Sequence, residues 1–226
     1  MVETVLVTGA GGMVGRHVKD LVEEQQLQTP ERRFVFVDRQ QVDLRDRAAV
    51  ERLFAESRPT HVLHCAARLA SAKDMTAHPV DFWMDNVEIN NNVLRAAHGA
   101  GARVVSVLSS VMFARDAPFP VTGTPAELYG GELHPVSESY GFAKRALGHL
   151  SSWYRRQHGA RFSCVVPTNI FGQYGDFEPG SAPLLNALIR KAHDAKAAGA
   201  PMVVMGSGRP ERQMLYARDL ARVLLW

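Results

Sequence analysis

The sequence predicts an α/β fold: a doubly wound parallel sheet followed by the start of a small C-terminal domain. Three observations carry this. Short apolar runs alternate with stretches of helical periodicity along most of the chain. A glycine-rich loop joins the first apolar run to the first helical stretch. Segments rich in Pro, Gly and polar residues follow the later runs, where a parallel sheet carries its ligand-binding loops.

In chain order, Thr4–Thr8 reads as a strand and about Gly12 to Gln26 as a helix. Phe34–Asp38 is the second strand. Asp46–Ser57 follows as a helix with apolar Ala49, Val50, Leu53 and Phe54. His61–Cys65 is the third strand, and the helical stretch Val80 to Ala100 precedes the strand Arg103–Leu108. Tyr140–His158 is helical and Arg161–Val166 is the last strand of the run. The order β-α-β-α-β-α-β-α-β implies parallel strands with helices on both faces, because parallel neighbours need a crossover between them. Ser109–Ser139 and Pro167–Pro183 read as loops. At the end, Asp219–Trp226 reads as the apolar start of a helix without a cap, which leaves an apolar face unburied. That pattern is expected of a shortened chain or of a face covered by a partner.

The 226 residues are 46% hydrophobic and 22% charged, as in an ordinary soluble enzyme. No apolar run approaches the ~20 residues of a membrane span. Met1 leads almost directly into Val5-Leu6-Val7, leaving no room for a secretion signal. Two cysteines, Cys65 and Cys164, sit inside apolar runs. They exclude a disulfide framework and fit a reduced, cytoplasmic setting. The net charge of +3 comes from dispersed residues, so it does not form a nucleic-acid stripe, and a small anionic ligand accounts for it equally well.

The loop Thr8–Gly15 (Thr-Gly-Ala-Gly-Gly-Met-Val-Gly) lies between the first strand and first helix. In a βαβ unit, Gly9 allows the tight turn, Gly12 lets backbone approach a pyrophosphate, and Gly15 lets helix and strand pack closely. Gly11, Met13 and Val14 complete the loop, whose free N–H groups meet phosphates at the positive helix end. Residues 1–166 are therefore expected to form an NAD(P)-binding Rossmann domain, and 167–226 a truncated substrate-binding region. At the end of the second strand, Asp38 suits the ribose hydroxyls of NAD while Arg39 suits the 2′-phosphate of NADP, and the signal is split. Asp43 is an acceptor for the adenine amino group or an ordinary turn aspartate.

Tyr140 and Lys144 lie four residues apart on one helix face. An ammonium beside a phenol favours the phenolate, so this spacing predicts a lowered Tyr140 pKa and proton exchange with a carbonyl or alcohol. Ser109 and Ser110 end the fourth strand, where a hydroxyl can bond the same carbonyl.

With these motifs in order, the chain resembles the extended short-chain dehydrogenase/reductases and, within them, the GDP-L-fucose synthase family. The resemblance runs through Thr8–Gly15, His61–Ala67, Asp81–Leu94, Ser109-Ser110, Tyr140–Lys144, Pro167–Gly172 (Pro-Thr-Asn-Ile-Phe-Gly), and Gly206–Gly208 with Arg212. It implies a reductase triad of Ser109, Tyr140 and Lys144, and NADP(H), with NAD(H) open, as cofactor. It also implies that Ala66, Ala67, Leu108–Ser110, Pro167, Asn169 and Ile170 line the cofactor. Lys191 and Arg212 would bind the diphosphate of a GDP-sugar, although Arg190-Lys191 also reads as a solvated helix face. Members of that family pair as homodimers through two long helices, here Val80–Ala100 and Tyr140–His158. Phe82, Val87, Val93, Leu94, Leu147, Leu150 and Trp153 suit either that pairing or an internal core.

The chain departs from the pattern at three places. The family's epimerase acid/base pair, a Cys two residues past the catalytic Ser and a His in the loop after Pro-Thr-Asn, is replaced by Val111 and Pro183. A substrate-pocket tryptophan reads as Met205. Neither Val nor Pro exchanges a proton, so epimerisation at C3 and C5 is expected to be impaired or replaced, with Tyr174, Asp176 and Glu178 the nearest substitutes. Alternatives are a reductase or 4-epimerase of another nucleotide sugar, and a catalytically silent dinucleotide-binding protein.

Overall fold

The computed structural model describes every residue except Met1, Phe119, Thr122, Met205 and Pro210. Strands β1 (Glu3–Thr8), β2 (Arg32–Val37), β3 (His61–His64), β4 (Arg103–Val107) and β5 (Phe162–Val165) form one parallel sheet in the order β2-β1-β3-β4-β5. The register aligns Val35, Leu6, Val62, Val104 and Phe162 across one face. Phe36, Val7, Leu63 and Val105 align across the other. Both faces are apolar because both are covered, which is why these strands read as continuous hydrophobic runs.

The first face packs under α2 (Arg47–Ser57), α4 (Pro79–Gly99) and α6 (Glu138–His158), through Val50, Phe54, Val93, Leu94, Ala97 and Leu147. The second packs under α1 (Met13–Glu24) and α8 (Ala217–Leu225), through Val18, Leu21, Val22, Leu220, Ala221 and Leu224. The shorter helices are α3 (Ala72–Ala77) and α5 (Pro125–Tyr129), and α7 (Leu184–Ala198) follows the second long loop. Strands β6 (Asn169–Phe171) and β7 (Met214–Tyr216) pair in parallel as a separate two-stranded sheet.

Each strand and helix read from the sequence is present, with ends moved by one or two residues for local reasons. Asp46 stands outside α2 because its carboxylate accepts the Ala48 and Ala49 N–H groups as a cap. Gly159 ends α6 in the left-handed conformation, φ 64°. The segment 109–139, expected to be loop, contains 3₁₀ turns at Ser110–Met112 and Pro135–Ser137 and the short α5, capped reciprocally by Thr124 and Glu127. The segment 167–183 contains β6. These pieces of three to five residues are too short for periodicity to reveal.

The C-terminal expectation needs correction. The apolar side of α8 is not left bare: Leu220, Ala221 and Leu224 are buried in the core shared with α1. Only Val223 and Trp226 of its large apolar residues project into solvent. No helix among the described residues is long and apolar enough to cross a membrane.

Candidate active site

The strand order reverses between β1 and β3, and in such sheets a crevice opens at the carboxyl ends there. The glycine loop and the residues after β3 form it. Gly9 has φ +70°, and a Cβ on it would lie 2.7 Å from the Ala66 Cα. A Cβ on Gly15 would lie 2.4 Å from the Gly9 carbonyl oxygen. α1 starts beyond an extended Gly12 with no side-chain cap and no acidic residue in its first turn. Its first N–H groups and positive end are therefore free for a phosphate, and the fit to a dinucleotide is close. Gly9, Gly11, Gly12, Ala66 and Ala67 line a cavity of about 460 Å³ that continues along Asp38, Arg39 and Asp43. Met13, Val14 and Gly15 form the first turn of α1 beside it.

Behind this crevice lies a buried polar relay that the sequence did not disclose. The Thr8 hydroxyl is 2.8 Å from His64 Nδ1, and His64 Nε2 is 3.0 Å from Asn90 Oδ1. The assignment that satisfies every group has Nε2–H donating to Asn90 and Nδ1 accepting from Thr8. The Ala66 N–H in turn reaches the Thr8 oxygen at 3.4 Å. Burial holds His64 neutral, its pKa down at about 4.

At the adenosine end, Asp38 Oδ1 accepts the N–H groups of Gln40 and Gln41 at 2.9 and 3.2 Å, closing a turn. Arg39 is exposed on the same cavity wall. Asp43 forms a close pair with Arg45, which bridges to Asp85, and Asp85 also holds Arg68. The Arg45 bonds bring Asp43 to about 2, so it is a charged turn residue as well as a cavity wall. Sequence reading missed Arg16, Arg45, Arg68 and Asp85, whose partners are distant in the chain or lack a motif.

Tyr140 and Lys144 are buried on α6. The Lys144 ammonium lies 5.5 Å from the Tyr140 ring centroid and donates to the Val107 carbonyl at 2.7 Å. The spacing predicted a lowered Tyr140 pKa, and the structure reverses it. Burial raises the phenol and lowers Lys144 to about 8. In a desolvated site the charged form of each group is disfavoured, and this outweighs their proximity. Ser109 caps the turn Ser110–Met112, its hydroxyl toward the Val111 N–H. The Ser110 N–H donates to the Pro167 carbonyl at 3.1 Å and the Leu108 N–H to the Val165 carbonyl at 2.8 Å. Leu108–Ser110 and Pro167 therefore meet at adjacent strand ends. Asn169 and Ile170 follow in β6, with the Asn169 amide held by the Gln213 carbonyl.

Other residues are not drawn in. Lys191 is exposed on α7, and Arg212 is exposed with its guanidinium on the Glu211 carbonyl. Among the described contacts neither touches the glycine loop or Tyr140. The Tyr174 ring lies 5.1 Å from the His17 ring, with the Arg16 guanidinium 5.3 Å from its centroid. It therefore packs on α1. Asp176 caps the Glu178 N–H. Cys65 is pushed up to about 12 by burial and Cys164 is also raised, so both are neutral thiols at pH 7. Val111 sits within the 3₁₀ turn, Pro183 directly precedes α7, and Met205 lies outside the described residues.

The sequence profile of the NAD dependent epimerase/dehydratase family matches residues 5–226. The chain belongs to that family. It is 33% identical over 224 residues to the GDP-L-fucose synthase of Dictyostelium discoideum, covering 99% of this chain and 69% of that protein. With the GDP-L-fucose synthase of Escherichia coli K12 it shares 34% identity over 221 residues, covering 97% and 67%. A GDP-L-fucose synthetase from Naegleria fowleri, solved bound to NADP, superposes with a TM-score of 0.87 at 36% identity, covering 99% of this chain and 72% of that one. Family membership makes this chain a nicotinamide-dependent oxidoreductase, with the Rossmann-type sheet described above.

Proposed function

We propose that the chain is an NADPH-dependent 4-reductase of a GDP-linked 4-keto-6-deoxy sugar in which the epimerase step is impaired or replaced. One observation carries the reading. A buried phenol and ammonium on α6 stand against the end of β4, where Ser109 follows, on a sheet whose glycine crevice fits a dinucleotide. NADP is favoured by Arg39 on the cavity wall, by the diversion of Asp38 into its turn, and by the NADP-bound relative.

The glycine loop and the start of α1 would hold NADPH, which would supply the hydride for the carbonyl carbon. Tyr140, kept protonated by burial, gives the proton that completes the alcohol. Ser109 donates a hydrogen bond to the same oxygen, and Lys144 places positive charge beside it. Lys191 and Arg212 bind the substrate diphosphate. The loss of epimerisation is supported by Val111 and Pro183, whose side chains hold no titratable proton, and by half-buried Cys65 and Cys164, which are neutral thiols.

Two copies pair along the groove between α4 and α6, whose walls include the exposed Trp83, Phe142 and Trp153. Phe82, Val93, Leu94 and Leu147 are instead spent on the internal core. Sedimentation of Trp153→Glu beside the wild type tests that pairing, and a monomeric wild type rejects it.

Function is tested by following NADPH oxidation with a panel of GDP- and UDP-linked 4-keto sugars. Turnover with the GDP-linked member supports the reading. Turnover only with another nucleotide moves the substrate class, and cofactor binding without turnover on any member identifies a silent binding protein.

A further inference from the structure

Arg145 follows Lys144 on α6 and is buried, yet it meets no carboxylate among the described residues. Its guanidinium instead donates to three main-chain carbonyls: Met112 at 2.7 Å, Gly131 at 2.9 Å and Gly130 at 2.6 Å. Met112 closes the turn that Ser109 begins, and Gly130 and Gly131 follow α5. One side chain therefore gathers both ends of the 112–131 excursion onto the helix that carries Tyr140.

A second anchor acts on the same segment. Gly148 leaves a notch on α6 that receives Tyr129, and a Cβ there would lie 2.6 Å from the Tyr129 hydroxyl. The Tyr129 ring also stacks on His149, with centroids 4.0 Å apart. A Cβ on Gly141 would lie 2.9 Å from the Val111 carbonyl, so α6 and the Ser109 turn are already in close contact.

A guanidinium suits this task because its planar fork serves several carbonyls at once, which an ammonium cannot reproduce. Burying the charge without a counterion is costly, and that cost is offset only while all three carbonyls stay in place. The arrangement is thus stable closed and unfavourable half-open.

We propose that Arg145 is a positioning residue for the reduction: with Tyr129 seated on Gly148, it locks segment 112–131 and the Ser109 turn against Tyr140. This rests on the reductase reading above. It adds a dependence of the chemical step on residues that touch neither cofactor nor sugar.

The test uses Arg145→Lys and Gly148→Ala in the full chain. Three readouts are taken: NADPH affinity by fluorescence, steady-state reduction of the keto sugar, and amide hydrogen exchange. Gly148→Ala is informative because alanine favours the helix, so a purely local effect is stabilising while displacement of Tyr129 is not. Expected for both variants are NADPH Kd within twofold of wild type, kcat at least tenfold lower, and faster exchange confined to 113–131. Unchanged kcat with unchanged exchange overturns the proposal. So does parallel loss of NADPH affinity and of protection throughout the sheet, which marks a general folding defect. If the wild type reduces no keto sugar, the reductase reading fails by itself. Exchange over 113–131 then decides whether Arg145 locks the segment.

Discussion

The Lys144 ammonium donates to the Val107 carbonyl at 2.7 Å, so the helix bearing Tyr140 is fixed to the strand that ends two residues before Ser109. The bond sets the geometry of the site, and burial around it sets the charge. Lys144 is lowered to about 8 while Tyr140 is raised. At neutral pH Lys144 is still largely an ammonium and the phenol is protonated, the states that their proposed roles require.

The pH dependence of reduction follows. Lys144 loses its proton as pH rises through about 8, well below its usual range. kcat/KM reports the free enzyme, so it is expected to fall on the alkaline side with an apparent pKa near 8. A pH–rate profile under stability-controlled conditions checks this. A flat profile to pH 10 removes the ammonium from the reaction.

Tyr140→Phe deletes the proposed proton donor and keeps the ring against Lys144. General acid catalysis contributes about 10²–10⁴-fold, and kcat is expected to drop by that amount with NADPH affinity intact. Loss of less than threefold places the proton donor elsewhere.

Gly9→Ala and Gly15→Ala test the crevice. The added methyl at Gly9 meets Ala66 backbone at a positive φ, and at Gly15 it meets the Gly9 carbonyl. Backbone on both sides cannot yield cheaply, so each is expected to destabilise by about 1–3 kcal/mol and weaken NADPH binding more than tenfold. Thermal melts and cofactor titration measure both.

His64 gives a stability signature. Its folded pKa of about 4 lies below the unfolded 6.5, so the unfolded chain binds the extra proton between those values. Stability therefore falls as pH drops from 6.5 toward 4 and levels off below, by about 3 kcal/mol at ~1.4 kcal/mol per unit. Urea unfolding of wild type and His64→Gln across this range checks the sign. An equal pH slope in the two proteins excludes His64 as the source.

Much of this was legible in the sequence, for reasons that particular residues make plain. Val5, Leu6 and Val7 read as a strand because both sheet faces are covered, and Gly9 to Gly15 are spaced by the needs of one turn and one helix end. Tyr140 and Lys144 were found because four residues make one helical turn. Their ionisation was misjudged, because burial depends on β4 and on the segment 109–113, which no spacing encodes. Thr8, His64 and Asn90 were invisible as a set, since two residues 56 apart meet only after the sheet forms. Arg145 was hidden likewise, since its partners are carbonyls and carbonyls leave no trace in a sequence.

The last prediction concerns the sugar's C3 and C5. Epimerisation there requires a group that removes a proton on one face and a group that returns one. Val111 has no such group and Pro183 has none. Tyr174 packs on α1, Asp176 and Glu178 are exposed with the Asp176 carboxylate on the Glu178 N–H, and Cys65, at about 12, is a thiol rather than a base. Incubation of the protein with the GDP-linked 4-keto-6-deoxy sugar in deuterium oxide is therefore expected to label the product only at exchangeable hydroxyls. C3 and C5 should keep their original configuration and protium beyond the spontaneous background. Mass spectrometry and proton NMR of the product read this directly, and enzyme-dependent deuterium at either carbon abolishes the assignment. Val111→Cys with Pro183→His restores a thiol and an imidazole at the two positions. Enzyme-dependent exchange in that double variant, with hydride transfer retained, would place the missing chemistry at those two residues.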